Sequence, residues 1–148
     1  MICLELVPIT DHVERAGPEK ASGILAGGLV VYVGFTKDGS PHVIPMNYQY
    51  HVTEPAALYL HGAGHSWLIG AIASGIPLCV AVIILDGLVY SKNGYFHTVN
   101  YRSAVCYGRG SLLENVAVKA NILAAIISRY FYSREANKDY APPRSSRL

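Results

Sequence analysis

Residues 29–52, LVVYVGFTKDGSPHVIPMNYQYHV, contain two apolar runs separated by the turn residues Lys37-Asp38-Gly39-Ser40. Asp-Gly between two such runs is a strong signal for a tight β-hairpin, because the central residues of that turn need positive φ. The spacing predicts one strand over residues 29–36 and its antiparallel partner over 41–52. Pro45 lies inside the second strand and has no amide proton to donate, which predicts a bulge or a sheet edge at that point.

The rest of the chain continues as short strands separated by turn signals, with helices between them. Further strands are predicted over residues 56–61, 77–85, 88–90 and 99–113, with Glu54-Pro55 and Asp86-Gly87 as turns. Pro18 at a first turn and the break at Gly27-Gly28 predict a short helix over 18–26. Apolar residues at helical spacing predict another over 65–74, which is ended by Gly75. A last helix follows Asn115, which is expected to cap it. Hairpin-joined strands that outnumber the helices indicate a mainly β fold, an antiparallel barrel.

Length and composition restrict the classes of protein that this chain can belong to. Its 148 residues suit one domain, 1–148, with a leader (1–17) and a tail (133–148) that we expect to be loosely attached. A net charge of +2, with scattered basic residues, argues against nucleic-acid binding. No apolar run approaches the ~20 residues of a membrane-spanning helix. Because 51% of the residues are hydrophobic, we expect part of the surface to be buried against a second copy.

Three cysteines, Cys3, Cys79 and Cys106, do not make a disulfide framework. Cys79 and Cys106 lie in apolar runs, where a thiol usually acts as a small hydrophobic side chain. With no signal peptide visible at the N-terminus, the reducing cytoplasm is the expected compartment.

Three polar clusters interrupt the predicted strands: residues 45–48, 59–66 and 97–103. In the second cluster a strand ends in a glycine-rich turn and Ser66 lies near the start of a helix. Free amide groups and the helix dipole make such a place suitable for an anion, while a plain capped helix explains the same residues.

The third cluster places Arg102 in a segment that reads as a buried strand. Burying an unpaired guanidinium is costly, so Arg102 is expected to have a partner. That partner is either a ligand, which two parallel hydrogen bonds could hold, or a carboxylate from Glu54, Asp86 or Glu114. Alternation along the strand puts Asn100 and Arg102 on one face and Tyr101 and Ser103 on the other.

Other common kinds of site find little support in the sequence. His61 and His65 are four residues apart, but the glycines between them argue against a shared helical face, and no metal motif is present, so no metal is expected. There is no nucleophile elbow of a serine hydrolase. Cys106 has no activating neighbour and is interpreted as a core residue.

Four segments together resemble the flavin-binding split-barrel proteins related to pyridoxamine 5'-phosphate oxidase, in particular the nitroimidazole-resistance-like branch. They are LYLHGAGHSWL (58–68), PLCVAVIILDGLVYS (77–91), FHTVNYRSAVCYGRG (96–110) and the hairpin GLVVYVGFTKDGSPHVIPMNYQY (28–50). The resemblance covers roughly residues 21–130. It implies a six-stranded antiparallel split barrel that forms a homodimer and holds FMN, or FAD, in the cleft between subunits.

Carried over by position, the resemblance implies a set of flavin-binding residues. These are Pro45, Met46, Asn47 and Tyr48 along the isoalloxazine; His61, Gly62, Ala63, His65, Ser66 and Trp67 near the phosphate; and Asn100, Tyr101, Arg102 and Ser103 on the remaining wall. Trp67 stands where the group commonly has a basic residue. The C-terminal segment also differs from that of the group, which implies a pocket that is open on one side or is completed by a partner subunit.

The resemblance favours an oxidoreductase that acts on a small oxidant such as a nitro compound or a quinone. Tyr48, Asn100 and Arg102 are candidate donors to the flavin edge that gains negative charge on reduction. Oxidation of pyridoxamine phosphate is less favoured, because a basic set for a second phosphate is missing. Two alternatives stay open: a non-catalytic flavin or haem binder, with His61, His65 or His97 as haem ligand, and a dimeric barrel without a ligand.

Overall fold

A computed structural model describes residues 2–3, 5–6, 17–51, 56–63, 66–135 and 137–141 of the chain. Within these residues the chain forms eight strands and three helices. In chain order they are β1 (Ile2–Cys3), β2 (Glu5–Leu6), α1 (Pro18–Gly27), β3 (Val31–Lys37), β4 (Ser40–Met46), β5 (Tyr48–His51), β6 (Ala57–Leu60), α2 (Trp67–Ala73), β7 (Pro77–Val89), β8 (Thr98–Arg109) and α3 (Val116–Tyr130). A short 3-10 turn, Gly94–Phe96, lies between β7 and β8.

The strands form two antiparallel sheets. The smaller sheet has the order β1-β6-β5, and the larger has the order β2-β8-β7-β3-β4. Six of the strands, β3 to β8, are four residues or longer, and helices flank them. The predicted fold, a mainly β, six-stranded antiparallel split barrel, is confirmed.

The hairpin that opens the larger sheet follows the predicted chemistry. Asp38 has φ of 51° and Gly39 has φ of 77°, so both central residues of the turn adopt the left-handed conformation that a two-residue hairpin requires. The turn fixes the register from Lys37 opposite Ser40 to Val31 opposite Met46. Phe35 therefore lies directly opposite His42.

The predicted second strand, residues 41–52, is in fact two strands. β4 ends at Met46 in the larger sheet, and β5 begins at Tyr48 in the smaller one, so the chain passes between sheets at Asn47. Pro45 lies on β4, the edge strand of its sheet, as its missing amide proton requires. We call residues 45–48 the crossover.

The prediction of a turn at Asp86-Gly87 is wrong, because β7 runs without interruption from Pro77 to Val89. The register against β8 shifts by one residue between Leu85 and Gly87, which is a β-bulge at Asp86. The extra residue puts Leu85 and Leu88 on the same face, opposite Tyr101 and Val99 respectively. The predicted last strand, residues 99–113, is also too long, since β8 ends at Arg109.

The helices agree with the sequence except at their ends. α1 starts at Pro18 as predicted, and Gly75, with φ of 73°, follows α2. The side-chain oxygen of Asn115 accepts a hydrogen bond of 3.1 Å from the amide of Val118 at the start of α3. α2 is shorter than predicted, and residues 64 and 65 lie outside the described residues.

The predicted leader and tail are only partly described. Residues 7–16 and 142–148 lie outside the described residues, so their loose attachment stays a prediction. The short strands β1 and β2, which pair with β6 and β8, were not expected from the sequence. Among the described helices, none has the length and apolarity needed to cross a membrane.

The core lies on one face of the larger sheet. Alternate residues of β3, β7 and β8 point into it, among them Val31, Val82 and Cys106, each at most 1% exposed. α1 and α2 contribute Leu25 and Ile72 to the same cluster. Burial raises the pKa of the Cys106 thiol to about 11, which confirms the interpretation of Cys106 as a core residue and not a nucleophile.

Arg129, in the last turn of α3, connects three elements of the fold. Its guanidinium donates hydrogen bonds to the carbonyl oxygens of Ala26, at 2.9 Å, and of Gly28. It also donates to the carbonyl of Tyr48 at 3.3 Å and lies 4.6 Å from the centre of that ring. The carbonyls at the end of α1 have no partner within the helix, so a cation here satisfies them and complements the helix dipole.

Replacement of Arg129 by methionine is expected to lower the free energy of unfolding by about 2–3 kcal/mol, because partly buried carbonyl oxygens lose their donor. Urea denaturation followed by far-UV circular dichroism measures this change. Arg134→Met, at an exposed arginine just beyond α3, is the matched control and should change stability little. Equal stability of the two variants would contradict the role given to Arg129.

Stability is also expected to fall at alkaline pH because of Cys106. Its pKa is about 11 in the folded protein against 9.0 for the free thiol, so only the unfolded chain releases the proton between these values. The stabilisation by this thiol is complete below pH 9.0 and declines as pH rises to about 11, by a total on the order of 3 kcal/mol. Burial also raises the pKa of Tyr48 above its usual value of 10.0, so the stability of the folded protein is expected to fall further above pH 10.0.

Urea denaturation at several pH values tests this expectation. Cys106→Ala should lose the part of the slope that begins near pH 9.0, whatever its stability at neutral pH. An identical pH dependence in the variant and the wild type would show that this thiol is not responsible.

Candidate flavin site

The first two polar clusters meet in the structure. A Cβ atom placed on Gly62 would lie 3.6 Å from Cε of Met46 and 3.2 Å from Cδ1 of Ile69. The crossover therefore lies against the glycine-rich turn between β6 and α2, residues 61–66. Of that turn, His61, Gly62, Ala63 and Ser66 are described, while residues 64 and 65, and with them the candidate His65, are not.

Several polar side chains of these two clusters are available to a ligand. Asn47 and His61 are exposed, and within the described part of the chain neither side chain has a hydrogen-bond partner. Ser66 precedes α2, but among the described residues its hydroxyl makes no capping bond. The amide of Ser66 is already bonded to the carbonyl of Ala63, at 2.9 Å. This amide is therefore not free to bind a ligand.

Trp67 belongs to an aromatic cluster that the sequence analysis did not anticipate. Its ring lies 5.5 Å from Phe35 and 5.1 Å from His42, centre to centre. The ammonium group of Lys37 lies 4.9 Å from the centre of the Trp67 ring, a cation–π contact. A cation thus stands beside Trp67, the position where a basic residue was expected. The hairpin register contained the signal, since it places Phe35 and His42 side by side.

Tyr48 and Asn47 differ sharply in what they can offer a ligand. Tyr48 is fully buried and its hydroxyl donates a 2.6 Å hydrogen bond to the carbonyl of Leu25. The Tyr48 amide donates to the hydroxyl of Tyr130 at 3.2 Å. The Tyr48 side chain is therefore an anchor of the crossover, whereas the exposed Asn47 beside it faces outward. Arg129 and Tyr130 hold this anchor in place. The sequence indicated only that they lie on the last helix, and not that they contact Tyr48.

The third cluster lies apart from the other two within one chain. Residues 100–103 are on β8, and β7 and β3 separate β8 from β4. At the usual spacing between strands, three steps correspond to roughly 14 Å. Alternation is as predicted, because the neighbour of Ser103 is the buried Ala104 and Tyr101 lies opposite Leu85 on the outer face. Asn100 and Arg102 point to the opposite face.

Arg102 has a carboxylate partner. Its Nε and Nη2 each donate a 2.8 Å hydrogen bond to the carboxylate of Asp86, one of the three candidates from the sequence. The expectation that Arg102 is buried is wrong, since its side chain is 55% exposed. β8 extends beyond the core at this point, which explains how polar residues fit in the strand. A contact between Arg102 and a ligand stays a prediction, and Nη1 is the nitrogen that Asp86 leaves available.

Arg102 also lines an open cavity of about 360 Å³ beside α1. The other lining residues are Glu19, Lys20, Gly23 and Ile24. This cavity is on the α1 side of the sheet and does not include the crossover or the glycine-rich turn. Among the described residues, no group of three or more His, Cys, Asp or Glu is placed to hold a metal ion.

The outer face of the larger sheet is apolar and open. We define this apolar face as the following side chains that alternate with the core residues: Tyr32, Val43, Pro45, Cys79, Ala81, Ile83, Leu85, Leu88, Val99, Tyr101, Ser103, Val105 and Tyr107. Arg109, at the far end of β8, continues the same alternation and borders this face with a charge. None of the side chains that define the face is charged, and Leu85 and Tyr101 are more than 60% exposed. Pro45 of the crossover and Ser103 of β8 both belong to it, so this face connects the clusters.

A family model described as pyridoxamine 5'-phosphate oxidase matches residues 18–148. The chain belongs to this family. The family expected from the sequence is thereby confirmed, over a longer stretch than the motifs covered. No curated protein matches the chain.

Two solved structures are similar to this member of the pyridoxamine 5'-phosphate oxidase family. One is the FAD and heme binding protein from Mycobacterium smegmatis, with 25% identity and a TM-score of 0.67 over 83% of this chain. The other is the flavocytochrome Anf3 from Azotobacter vinelandii, with 25% identity and a TM-score of 0.68 over 86% of this chain. The chain spans 61% of the length of each of these proteins.

The ion pair between Asp86 and Arg102 makes a measurable prediction. Hydrogen bonds from Arg102 hold the pKa of the Asp86 carboxyl below its usual value of 3.8. The contribution of this pair to stability is present above pH 3.8 and is lost as pH falls through the lowered pKa. In a carbon-detected NMR titration, Arg102→Ala should raise the pKa of Asp86 towards 3.8, and Arg109→Ala at the other end of β8 should leave it in place. A pKa of Asp86 that does not respond to Arg102→Ala would refute the pairing.

Proposed function

We propose that this protein binds a flavin nucleotide, FMN or FAD, in a cleft between two copies of the chain, and is an oxidoreductase that reduces a small oxidant such as a nitro compound or a quinone. The observation that carries the proposal is the meeting of the crossover with the glycine-rich turn, where the side chains of Asn47 and His61 have no hydrogen-bond partner among the described residues. Membership in the family and the flavin named for two similar structures support it.

The residues present suit a flavin nucleotide in their chemistry. The heteroatom edge of the ring system needs hydrogen-bond donors and acceptors, which Asn47 and Ser103 supply. Its faces need apolar contacts, which Met46 and Pro45 supply. The phosphate end needs donors or positive charge, for which His61, Ser66 and Lys37 are the nearest groups. Tyr48 is not among the donors we assign, because its hydroxyl is bonded to Leu25.

When bound, the flavin supplies the hydride and electron transfer, and the protein supplies binding, orientation and electrostatics. The side-chain amide of Asn47 would donate to the ring edge that gains negative charge on reduction. The apolar side chains around the ring would exclude water from its faces. No described residue is an obvious general base, so we assign the proton to solvent.

A homodimer explains the apolar face better than a monomer does. Monomeric proteins rarely expose large continuous apolar patches, and an uncharged face is complementary to a second copy of itself. The free thiols of Cys79 and Cys106 suit a reducing compartment, so we place the protein in the cytoplasm.

Haem is the second candidate cofactor. One similar structure is named as an FAD and heme binding protein, and the other as a flavocytochrome. His61 is exposed at the glycine-rich turn. His97 is exposed too, but its Nε2 is within 3.1 Å of the carbonyl of Ser91, so its other nitrogen would have to be the ligand. A sharp Soret band after addition of haem would support this reading.

Titration of the protein with FMN and then FAD tests the proposed function. The chain has one tryptophan, Trp67, next to the glycine-rich turn, so flavin uptake should quench both its fluorescence and that of the flavin. Asn47→Ala should weaken binding by roughly 1 kcal/mol, about fivefold, through the loss of one hydrogen bond. The control Asn121→Ala changes an exposed asparagine of α3 and should bind like the wild type.

The same sample separates an enzyme from a carrier. Bleaching of the bound flavin by NADH or NADPH, followed by recovery of its colour on addition of a nitroaromatic or a quinone, supports the oxidoreductase. A protein that binds flavin but fails both steps is a carrier or sensor. If neither FMN nor FAD changes the fluorescence, the flavin proposal is wrong.

A further inference from the structure

An exposed aromatic ring and a positive charge lie together beside the glycine-rich turn. The Trp67 side chain packs against Phe35 and His42, and the ammonium group of Lys37 lies 4.9 Å from the centre of its ring. Trp67 is nevertheless 47% exposed. We call Lys37, His42 and Trp67 the aromatic–cation cluster. The proposed flavin site uses only the charge of Lys37 and leaves the exposed Trp67 ring without a role.

We propose that the aromatic–cation cluster binds the adenine nucleotide half of FAD, with the adenine stacked on Trp67 and the diphosphate beside Lys37, so that the protein prefers FAD to FMN. The inference rests on the proposed function and specifies which of its two flavins is the ligand. Three observations carry it: the Trp67 ring is held in place, Lys37 has no carboxylate partner, and the cluster lies along the strand that leads to the crossover.

Contacts with its neighbours hold the Trp67 ring in place without a ligand. Phe35, which is only 7% exposed, fixes the base of the cluster against the core of the larger sheet. The ring of His42 stacks on Phe35 at 5.4 Å and meets the ring of Trp67 nearly edge-on, at 68°. A held and partly exposed aromatic ring is a suitable surface for a nucleobase, and stacking on it costs little further entropy.

Lys37 supplies positive charge next to the exposed ring. Within the described part of the chain its ammonium group forms no salt bridge, although Asp38 follows it in the turn. The ammonium group can therefore bind an anion without giving up a carboxylate. FMN ends at its single phosphate, whereas FAD continues through a diphosphate to adenosine. Only FAD thus offers the cluster both an anion and an aromatic base.

The strand β4 connects the aromatic–cation cluster with the crossover. His42 and Met46 are four residues apart on β4, so their side chains lie on the same face, roughly 13 Å from each other. Met46 lies against Gly62, and His42 contacts Trp67. Gly62 and Trp67 therefore lie at two successive points along β4. A flavin with its ring at the crossover and its phosphate end at the glycine-rich turn would extend towards Trp67.

Isothermal titration calorimetry with FMN and with FAD tests this preference. The wild type should bind FAD at least roughly tenfold more tightly than FMN, because only FAD gains the stacking contact. Trp67→Leu keeps an apolar side chain against Phe35, and the ratio of its two dissociation constants should fall to about one. The matched control, Tyr132→Leu, changes an exposed aromatic residue beyond α3 and should keep the preference of the wild type.

ADP tests the cluster without a flavin ring. ADP should quench the fluorescence of Trp67, which is the one tryptophan of the chain, and saturation of the protein with FAD should abolish the calorimetric signal of ADP binding. Lys37→Gln, at an exposed position, should bind ADP roughly fivefold more weakly through the loss of one charge contact. This variant leaves the Trp67 side chain in place, so it keeps the test valid if Trp67→Leu is unstable.

Three results would overturn the adenine site and leave the proposed function intact. They are equal affinity of the wild type for FMN and FAD, an unchanged preference for FAD in Trp67→Leu, and binding of ADP to protein already saturated with FAD. Protein that binds neither FMN nor FAD would instead overturn the proposed function, and with it this inference.

Discussion

The guanidinium of Arg129 is the interaction on which the arrangement of this fold depends. The last carbonyl oxygens of α1 find no hydrogen-bond donor within the helix. β5 begins where the chain has just passed from the larger sheet to the smaller one. Arg129 bonds to both, so the end of α1, the start of β5 and the end of α3 occupy fixed positions relative to one another. Apolar packing alone could slide by a fraction of a residue, whereas several directed hydrogen bonds from one planar group cannot.

This constraint matters for function because the crossover is next to it. Tyr48 is held through its ring, its amide and its carbonyl, and Asn47 precedes it. The anchor fixes the backbone from which the Asn47 side chain extends, which lowers the entropy that binding would cost. The candidate site is therefore supported from behind by α3, an element that contributes no ligand-facing residue to it.

Local chemistry made much of the fold predictable. Asp38-Gly39 set the hairpin, Asn115 set the start of α3, and alternation separated the core residues of β7 and β8 from those outside. The errors have a common cause, which is that turn-like residues also occur where a strand bulges or changes sheet. Asp86-Gly87 resembles a turn, yet long-range pairing with β8 keeps β7 extended, and nothing local shows that Asn47 joins two sheets. The polar clusters of the candidate site were predictable from the sequence, but their arrangement in space was not. Met46 lies against Gly62, whereas residues 100–103 lie apart from both. The pairing of Arg102 with Asp86 depends on the bulge, which no local signal in the sequence indicates.

The bulge at Asp86 gives β7 one residue more than β8 needs for pairing, and that extra residue carries the carboxylate that Arg102 binds. Deleting Asp86 would restore regular alternation and leave Leu88 on the same face as Leu85, because the two residues would then be two positions apart. One missing codon would thus leave the oily side of the distal hairpin as it is and strand a lone positive charge on its wet side.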